Sequence, residues 1–323
     1  MKNYFGLFKM LKVGISQCLL GANVRYDGGH RSNKFCTNEL AQLFDFTVLC
    51  PEVGIGLPIP RKSIRLVGNV DAPRAVLSSG GSNDYTEKLS NFANDNYKIL
   101  EQLCGYIVCK ASPSCGMERV KVYGESGQSQ SKGIGIFTAR LKSLLPLLPM
   151  EEDGRLNDPS LRDSFIKRVY LYNEWQEISA GKKLSVKALM AFHTKHKMTL
   201  LAHCQQTYRK LGPLVASANI SNIKEISAEY IHLKLEGMKK TATRSKNTNV
   251  LMHLQGHLKK LINRDDKAEL RQCIIDYNHG LQPIMAPLTL LKHHFRNNPS
   301  NYIQQLSFFD PYPKQLAIRV AMK

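Results

Sequence analysis

The sequence predicts two domains of different class: an α/β domain with a mainly parallel sheet over residues 1–155, then an all-α helical domain over residues 156–323. Three observations carry this prediction. Short β-branched runs at 13–16, 47–49 and 107–108 each stop at a turn rich in Gly, Pro or polar residues, and they alternate with helix-like segments. An acidic, Pro-containing stretch, Glu151-Glu152-Asp153-Gly154 and then Asp158-Pro159, interrupts that alternation. Beyond it the apolar periodicity is helical almost throughout, and 323 residues exceed what one ordinary core organises.

In chain order, 13–18 is the first strand and the polar segment 21–31 a loop. A short helix over about 38–44 leads into the second strand. Pro51, Gly54, Gly56, Pro58 and Pro60 exclude regular structure from 51–65, and 64–77 reads as a hairpin. Ser82 or Asn83 is the expected N-cap of a helix reaching Leu103. The third strand ends at the Ser112-Pro113-Ser114-Cys115 turn, 124–132 is flexible by composition, and 133–144 is a helix. Past the boundary, one helix is expected over 161–180, with Phe165, Val169, Tyr172 and Ile178 on its apolar stripe. A second runs over 185–202, with Ser185 as N-cap and Leu189, Phe192 and Leu200 in register. Further helices at about 223–238, 248–262, 267–279 and 287–297, joined by short linkers, indicate a bundle.

The net charge of +19 points to a polyanionic partner such as nucleic acid and is silent about fold. It is unevenly distributed. Residues 1–155 hold 19 Lys and Arg against 14 Asp and Glu, a net of +5, whereas 156–323 hold 26 against 12, a net of +14. No run approaches the roughly 20 apolar residues of a membrane span, so no membrane partner is expected. Lys9 and Lys12 interrupt the apolar start and no small-residue cleavage site follows, so a secretory signal is not expected either; Met10 is an alternative first residue. Eight cysteines in such a chain suggest a reducing compartment, the cytoplasm, where thiols bind metals or do chemistry.

Ligands of an open parallel sheet gather beyond the carboxyl ends of its strands. Cys18, Cys50 and Cys115 each follow a strand-like run, so neighbouring strands would bring three thiolates to one point. That is one short of the four that hold a [4Fe–4S] cluster, and the shortfall would leave one iron open to a substrate. The spacing is not the local ferredoxin run, and any one of these residues alone also fits a small core hydrophobe. Their surroundings favour a site. Cys50-Pro51-Glu52 sets a carboxylate two residues beyond a thiol on a rigid turn. Ser112, Ser114 and Gly116 around Cys115 can aim hydroxyls and N–H groups at a developing anion. Cys36, Cys104, Cys109, Cys204 and Cys273 read as structural.

His193, His196 and His203 have spacings that zinc accepts, but no acidic or thiol residue is near in sequence, and Lys195 and Lys197 crowd them with positive charge. They read instead, with Lys195, Lys197, Tyr208, Arg209 and Lys210, as a surface that meets phosphates and stacks bases. A solvated helix face is the alternative for any single residue; the domain's +14 favours the RNA-binding reading.

Five ordered motifs over about 12–150 look like the TudS-type thiouracil desulfidases: Ser16-Gln17-Cys18-Leu19-Leu20-Gly21, Arg25-Tyr26-Asp27-Gly28-Gly29, Cys50-Pro51-Glu52-Val53, Gly56-Leu57-Pro58-Ile59-Pro60-Arg61 and Ser112-Pro113-Ser114-Cys115-Gly116. Residues 160–323 are similar to the helical YbgA family, through His193-Thr194-Lys195-His196-Lys197, Leu201-Ala202-His203, Tyr208-Arg209-Lys210-Leu211-Gly212-Pro213, the 249–256 segment and Gln282-Pro283-Ile284-Met285-Ala286-Pro287-Leu288. The combination resembles enzymes that remove sulfur from 4-thiouridine in tRNA. The resemblance implies a [4Fe–4S] cluster on Cys18, Cys50 and Cys115 with one open iron, a tRNA partner, and conversion of 4-thiouridine to uridine with release of H₂S. Free thiouracil or thiouridine is the alternative substrate, and a non-catalytic RNA-binding protein with a structural cluster the alternative class. Within this frame Glu52 is the first candidate to position or deprotonate the attacking water and Asp27 the second. Ser112 and Ser114 are candidates to hydrogen-bond the ring, and Arg25, Tyr26 and Arg61 to hold the substrate, although either arginine could instead brace its loop. No GxxxxGK[ST] pattern is present, which counts against the reverse, thiolating reaction.

Overall fold

The computed structural model describes residues 10–80, 83–124 and 126–313. The chain divides into two units, Met1–Asn157 and Asp158–Lys323. Of the expected starting residues Met1 lies outside the described residues, as does Ser82, the alternative N-cap.

In the first unit β1 (Leu11–Ser16) is followed by β2 (Phe44–Leu49), a single helical turn α1 (Pro51–Gly54), the hairpin β3 (Ile64–Asn69) and β4 (Ala72–Leu77), and the short helices α2 (Thr86–Asp95) and α3 (Tyr97–Leu100). Then come β5 (Gly105–Val108), β6 (Val120–Tyr123), β7 (Ser129–Gly133), α4 (Ile136–Leu144) and β8 (Met150–Glu152). The strands form two four-stranded sheets. The first, in the order β2-β1-β5-β8, is parallel at every pairing; the second, β4-β3-β6-β7, is mixed. Every residue of β5 and all but one of β1 are buried, as expected of central strands in a parallel sheet. Gly14 is obligatory in β1, because a Cβ there would lie 2.2 Å from the ring of Tyr106, which fills the space as one of the largest fully buried side chains.

The structure corrects several local expectations. The segment expected to be helical over 38–44 is a π-helical turn, Phe35–Glu39, and a 3₁₀ turn, Leu40–Gln42; buried Phe44 already opens β2. Pro51 sits at the first helical position, where its fixed φ nucleates α1 inside a segment expected to be irregular. The helix expected to reach Leu103 starts at Thr86, three residues past Asn83, with the Asp84 carboxylate accepting the Thr86 N–H at 2.8 Å, and it breaks at Asn96. Residues 129–132, read as flexible, form with Gly133 the strand β7, exposed and polar up to its buried last residue and held through backbone pairing to β6. The helix expected from 133 therefore starts only at Ile136.

The second unit is helical: α5 (Pro159–Ser179), α6 (Val186–His203), α7 (Gln205–Ala216), α8 (Ile223–Lys239), α9 (Arg244–His257), α10 (Arg264–His279), α11 (Met285–Asn297) and α12 (Asn301–Gln304). Asp158 caps α5 by accepting N–H groups of Ser160 and Leu161 at 2.8 and 3.0 Å, and Ser185 caps α6 as expected. Helix α7 is not among the expected helices, and it contains Gly212-Pro213. Pro213 costs that helix a backbone donor, yet Leu211 and Val215 stay buried on one face. A Cβ on Gly237 would lie 3.0 Å from both Leu200 and Thr207, so this glycine allows α8 to pack closely on α6 and α7. No described helix is long and apolar enough to cross a membrane.

Candidate active site

In the order β2-β1-β5-β8, β1 is flanked by the next strand in sequence on one side and by a much later one on the other. This is the switch point at which a parallel sheet opens a crevice. Ser16 lies opposite Leu49 in the β1–β2 register and Ile15 opposite Ile107 in the β1–β5 register, so the three carboxyl ends are level. Cys18 follows β1 in a 3₁₀ turn, Cys50 follows β2 directly, and Cys115 arrives on the turn after β5. All three line one cavity of about 170 Å³.

A fourth thiol lines it too. Cys109, read from sequence as structural, is the first residue beyond β5 and only 4% exposed. Its N–H donates to Ser16 Oγ at 3.1 Å, and its thiol shares a hydrogen bond with Cys18. That contact pushes Cys18 up, with burial and the neighbouring thiols adding to the effect, and pushes Cys109 down. Burial raises Cys50 against the N–H of Val53, and burial raises Cys115 against a hydrogen bond from Ser16.

The donor set suits a thiophilic cationic cluster. Soft sulfur ligands converge in a closed place where their own charges repel one another. A second observation agrees. The hydroxyl of fully buried Tyr106 has no hydrogen-bond partner among the described residues, and Cys115, Cys50 and Cys18 are near enough to act on it electrostatically. A sulfur-rich group over these thiols would give that O–H an acceptor. The thiols are not gathered as around a single ion: among the described residues no three His, Cys, Asp or Glu side chains meet that geometry.

Glu52 reaches the same cavity from α1. Its Oε2 accepts from Arg61 Nε and Nη2 at 3.0 and 2.7 Å, and its Oε1 accepts from Ser114 Oγ at 2.9 Å. Arg61 also donates to the carbonyls of Val24 and Pro58, so it braces the carboxylate and the loop, the second of its two expected roles. Ser114 is fully buried and acts on Glu52, whereas Ser112 lines the cavity and its Oγ accepts the N–H groups of Ser114 and Cys115 at 3.3 and 3.1 Å. The turn is locked to α4: the N–H of Ile136 donates to Pro113 O, and Thr138 Oγ1 donates to Cys115 O at 2.7 Å. Gly135 permits this approach, since a Cβ there would lie 2.5 Å from the Ser114 carbonyl carbon.

Arg25 and Tyr26 border the cavity, the guanidinium 5.5 Å from the ring centroid, with Tyr26 43% exposed. Asp27 does not line it. Its exposed carboxylate accepts the Gly29 N–H at 3.0 Å and pairs with Arg25 at 3.6 Å, and the Gly29 bond foremost holds its pKa below the usual value. Asp27 shapes the loop rather than facing the cavity.

In the helical unit the expected basic surface is divided. Arg209 and Lys210 are exposed on α7. Lys195 is paired with Glu174 at 2.8 Å, and Lys197 Nζ lies 4.5 Å over the ring of Tyr302. His196 and His203 are not surface residues: they are 5% and 0% exposed. His196 bonds Glu174 at 3.1 Å and His203 bonds the Lys240 carbonyl at 2.6 Å, and burial lowers their pKa values to about 4 and about 3. The acidic partner of His196 lies 22 residues away on α5, beyond the reach of any local reading of the sequence.

Residues 13–153 match the family model described as 2-thiouracil desulfurase, and residues 197–313 match a protein of unknown function (DUF1722). YbgA of Escherichia coli (strain K12) is 30% identical over 158 residues, 49% of this chain and 93% of YbgA. The solved structure of the [4Fe–4S]-dependent thiouracil desulfidase TudS is 28% identical, with a TM-score of 0.36, covering 46% of this chain and 93% of that one.

Proposed function

The chain belongs to the YbgA family and carries a 2-thiouracil desulfurase domain ahead of its helical one, and from that premise we propose that it is an iron–sulfur-dependent desulfidase that converts 4-thiouridine in tRNA to uridine. The observation that carries this reading is the meeting of Cys18, Cys50, Cys115 and Glu52 in one cavity. The three cysteines would hold a [4Fe–4S] cluster. When bound, it supplies an open iron soft enough to favour sulfur, a Lewis acid toward the thiocarbonyl.

Replacing C=S by C=O consumes water and releases H₂S with no net redox change, so the protein must chiefly aim a water and move its proton. Glu52 suits that task. Each carboxylate oxygen has two acceptor positions, and Oε1 spends only one of its own on Ser114. The remaining position can orient a water toward the ring carbon and take its proton. Arg61, clamped on Oε2, prevents the carboxylate from turning away. Ser112, on the cavity wall, can hydrogen-bond the ring, and the exposed ring of Tyr26, backed by Arg25, offers a stacking face at the mouth.

A cavity of about 170 Å³ accepts one pyrimidine ring and not a stacked helix, so a base in tRNA must be extruded, at a cost of a few kcal/mol. The helical domain's net +14 supports RNA as the carrier, because phosphate contacts offset that cost. Free thiouracil or thiouridine would fit the same cavity. The test is anaerobic purification with iron and sulfide counted, then sulfide release from thiolated tRNA and from the free bases in parallel. Release from tRNA at a far higher kcat/KM supports the reading; equal or better turnover of the free bases transfers the function to small molecules.

A further inference from the structure

The desulfidase reading uses three thiols, and the cavity has four. Cys109 differs from the others in how it is held. Its backbone is pinned at the strand tip by the Ser16 hydroxyl, so only its side chain is free to reorient. Its Sγ accepts from Arg31 Nη1 at 3.7 Å. Arg31 is itself fixed: its N–H donates to the Cys18 carbonyl at 2.9 Å, its Nη1 to the Lys110 carbonyl at 3.0 Å, and its Nε faces Asp153 at 3.7 Å. Asp153 in turn accepts the Lys110 N–H at 2.8 Å. A cation is thus mounted at the cavity wall beside a thiol that lies within hydrogen-bond reach of a ligand thiol, Cys18.

Resting on the desulfidase reading, we propose that Cys109 is a displaceable fourth ligand, capping the cluster's open iron in the absence of substrate and withdrawing to Arg31 when a thiocarbonyl takes its place. Four thiolates are the full complement of such a cluster. Capping breaks the Cys109 S–H bond, releases that proton to solvent and forms one S–Fe bond. Displacement breaks the S–Fe bond, forms one bond from iron to the substrate sulfur, and returns the thiolate to the guanidinium. No electron moves. The device keeps a reactive iron covered against oxidants and stray thiols, and it selects for soft sulfur over water, which does not displace a thiolate.

The experiment compares anaerobically purified full-length wild type, Cys109→Ala and the near-isosteric Cys109→Ser. Iron and sulfide are counted first. Each protein is then treated with ferricyanide and a chelator, following the appearance of the three-iron cluster by EPR, with Mössbauer spectra of the untreated samples. Both variants should keep the wild-type iron content, lose their unique iron about ten-fold faster, and show one iron distinct from the other three. Equal loss rates and indistinguishable spectra would overturn the cap. So would loss of the whole cluster in both variants, which would make Cys109 an obligatory structural ligand. Wild-type protein that binds no cluster overturns the desulfidase reading itself, and the initial iron count separates that failure from the other two.

Discussion

At the carboxyl edge of the parallel sheet, the largely buried carboxylate of Glu52 has a partner on each oxygen. In the helical unit, Lys234 is fully buried with its Nζ 5.7 and 5.6 Å from the rings of Phe192 and Tyr230, and has no hydrogen-bond partner among the described residues. The two cases show that burial alone does not decide what an ionisable group does. A carboxylate clamped by a guanidinium and a hydroxyl is held in one orientation by charge-assisted bonds. A lysine enclosed by rings loses its reason to stay protonated, and its pKa falls to about 7. One arrangement presents a group to a cavity; the other stores an electrostatic cost in a core.

The thiols give the largest expected contrast. Cys18→Ala, Cys50→Ala and Cys115→Ala should each abolish iron binding, while Cys104→Ala and Cys204→Ala, buried away from the cavity wall, should keep it. Iron content after anaerobic purification decides this, and normal iron in Cys50→Ala would remove the assignment. Next comes the carboxylate. Glu52→Gln keeps the shape and removes the base, so single-turnover sulfide release should fall ~10²–10⁴-fold at unchanged iron content. Arg61→Met should produce a smaller loss by freeing Glu52 to rotate; unchanged turnover in Glu52→Gln moves the proton transfer elsewhere.

How much of this was legible follows the range of the signals. Strand runs stopped by turns are local, so Cys18, Cys50, Cys115 and the Cys50-Pro51-Glu52 turn could be picked out in order. Cys109 closes its strand as plainly as Cys50 does, but nothing in sequence says whether a thiol at a strand tip faces the crevice or the core. The partners of Glu52 lie 9 and 62 residues away, and the partner of His196 lies 22 residues away, so no local window contains them. β7 was hidden because its residues are polar and exposed, and backbone pairing leaves no pattern in side chains. α7 holds Pro213, a residue of poor intrinsic helix preference, and that penalty is outweighed by the burial of Leu211 and Val215, a tertiary effect that no local pattern displays.

The division among basic residues sharpens the same lesson at the surface. Reversing charge at exposed Arg209 and Lys210 should weaken tRNA binding and flatten the slope of log affinity against log salt by about 0.7–0.9 for each phosphate that is no longer neutralised. Reversal at Lys195 should change the slope less, because its charge is already spent on Glu174. Binding isotherms at several salt concentrations measure both, and an unchanged slope in the Arg209 and Lys210 variant would remove α7 from the RNA interface.

The smallest effect tests the helical core. Lys234 faces Glu174 on α5 and His193 and His196 on α6, and its charge helps hold both histidines near a pKa of about 4, after burial as the larger cause. Because its folded pKa of about 7 lies below the ordinary 10.5, the unfolded chain binds a proton between these values that the folded chain does not. Stability through this group therefore rises with pH across that window, and the penalty is complete below about 7. Lys234→Met fills the same space without the charge. It should stabilise the helical unit by on the order of 2 kcal/mol at pH 6, with the gain fading toward pH 10. Denaturant unfolding at both pH values measures the difference, and an NMR titration should show His193 moving back toward its ordinary pKa. Equal destabilisation at both pH values would mean that the aliphatic stem of Lys234, packed against Phe192 and Tyr230, matters more than its amine.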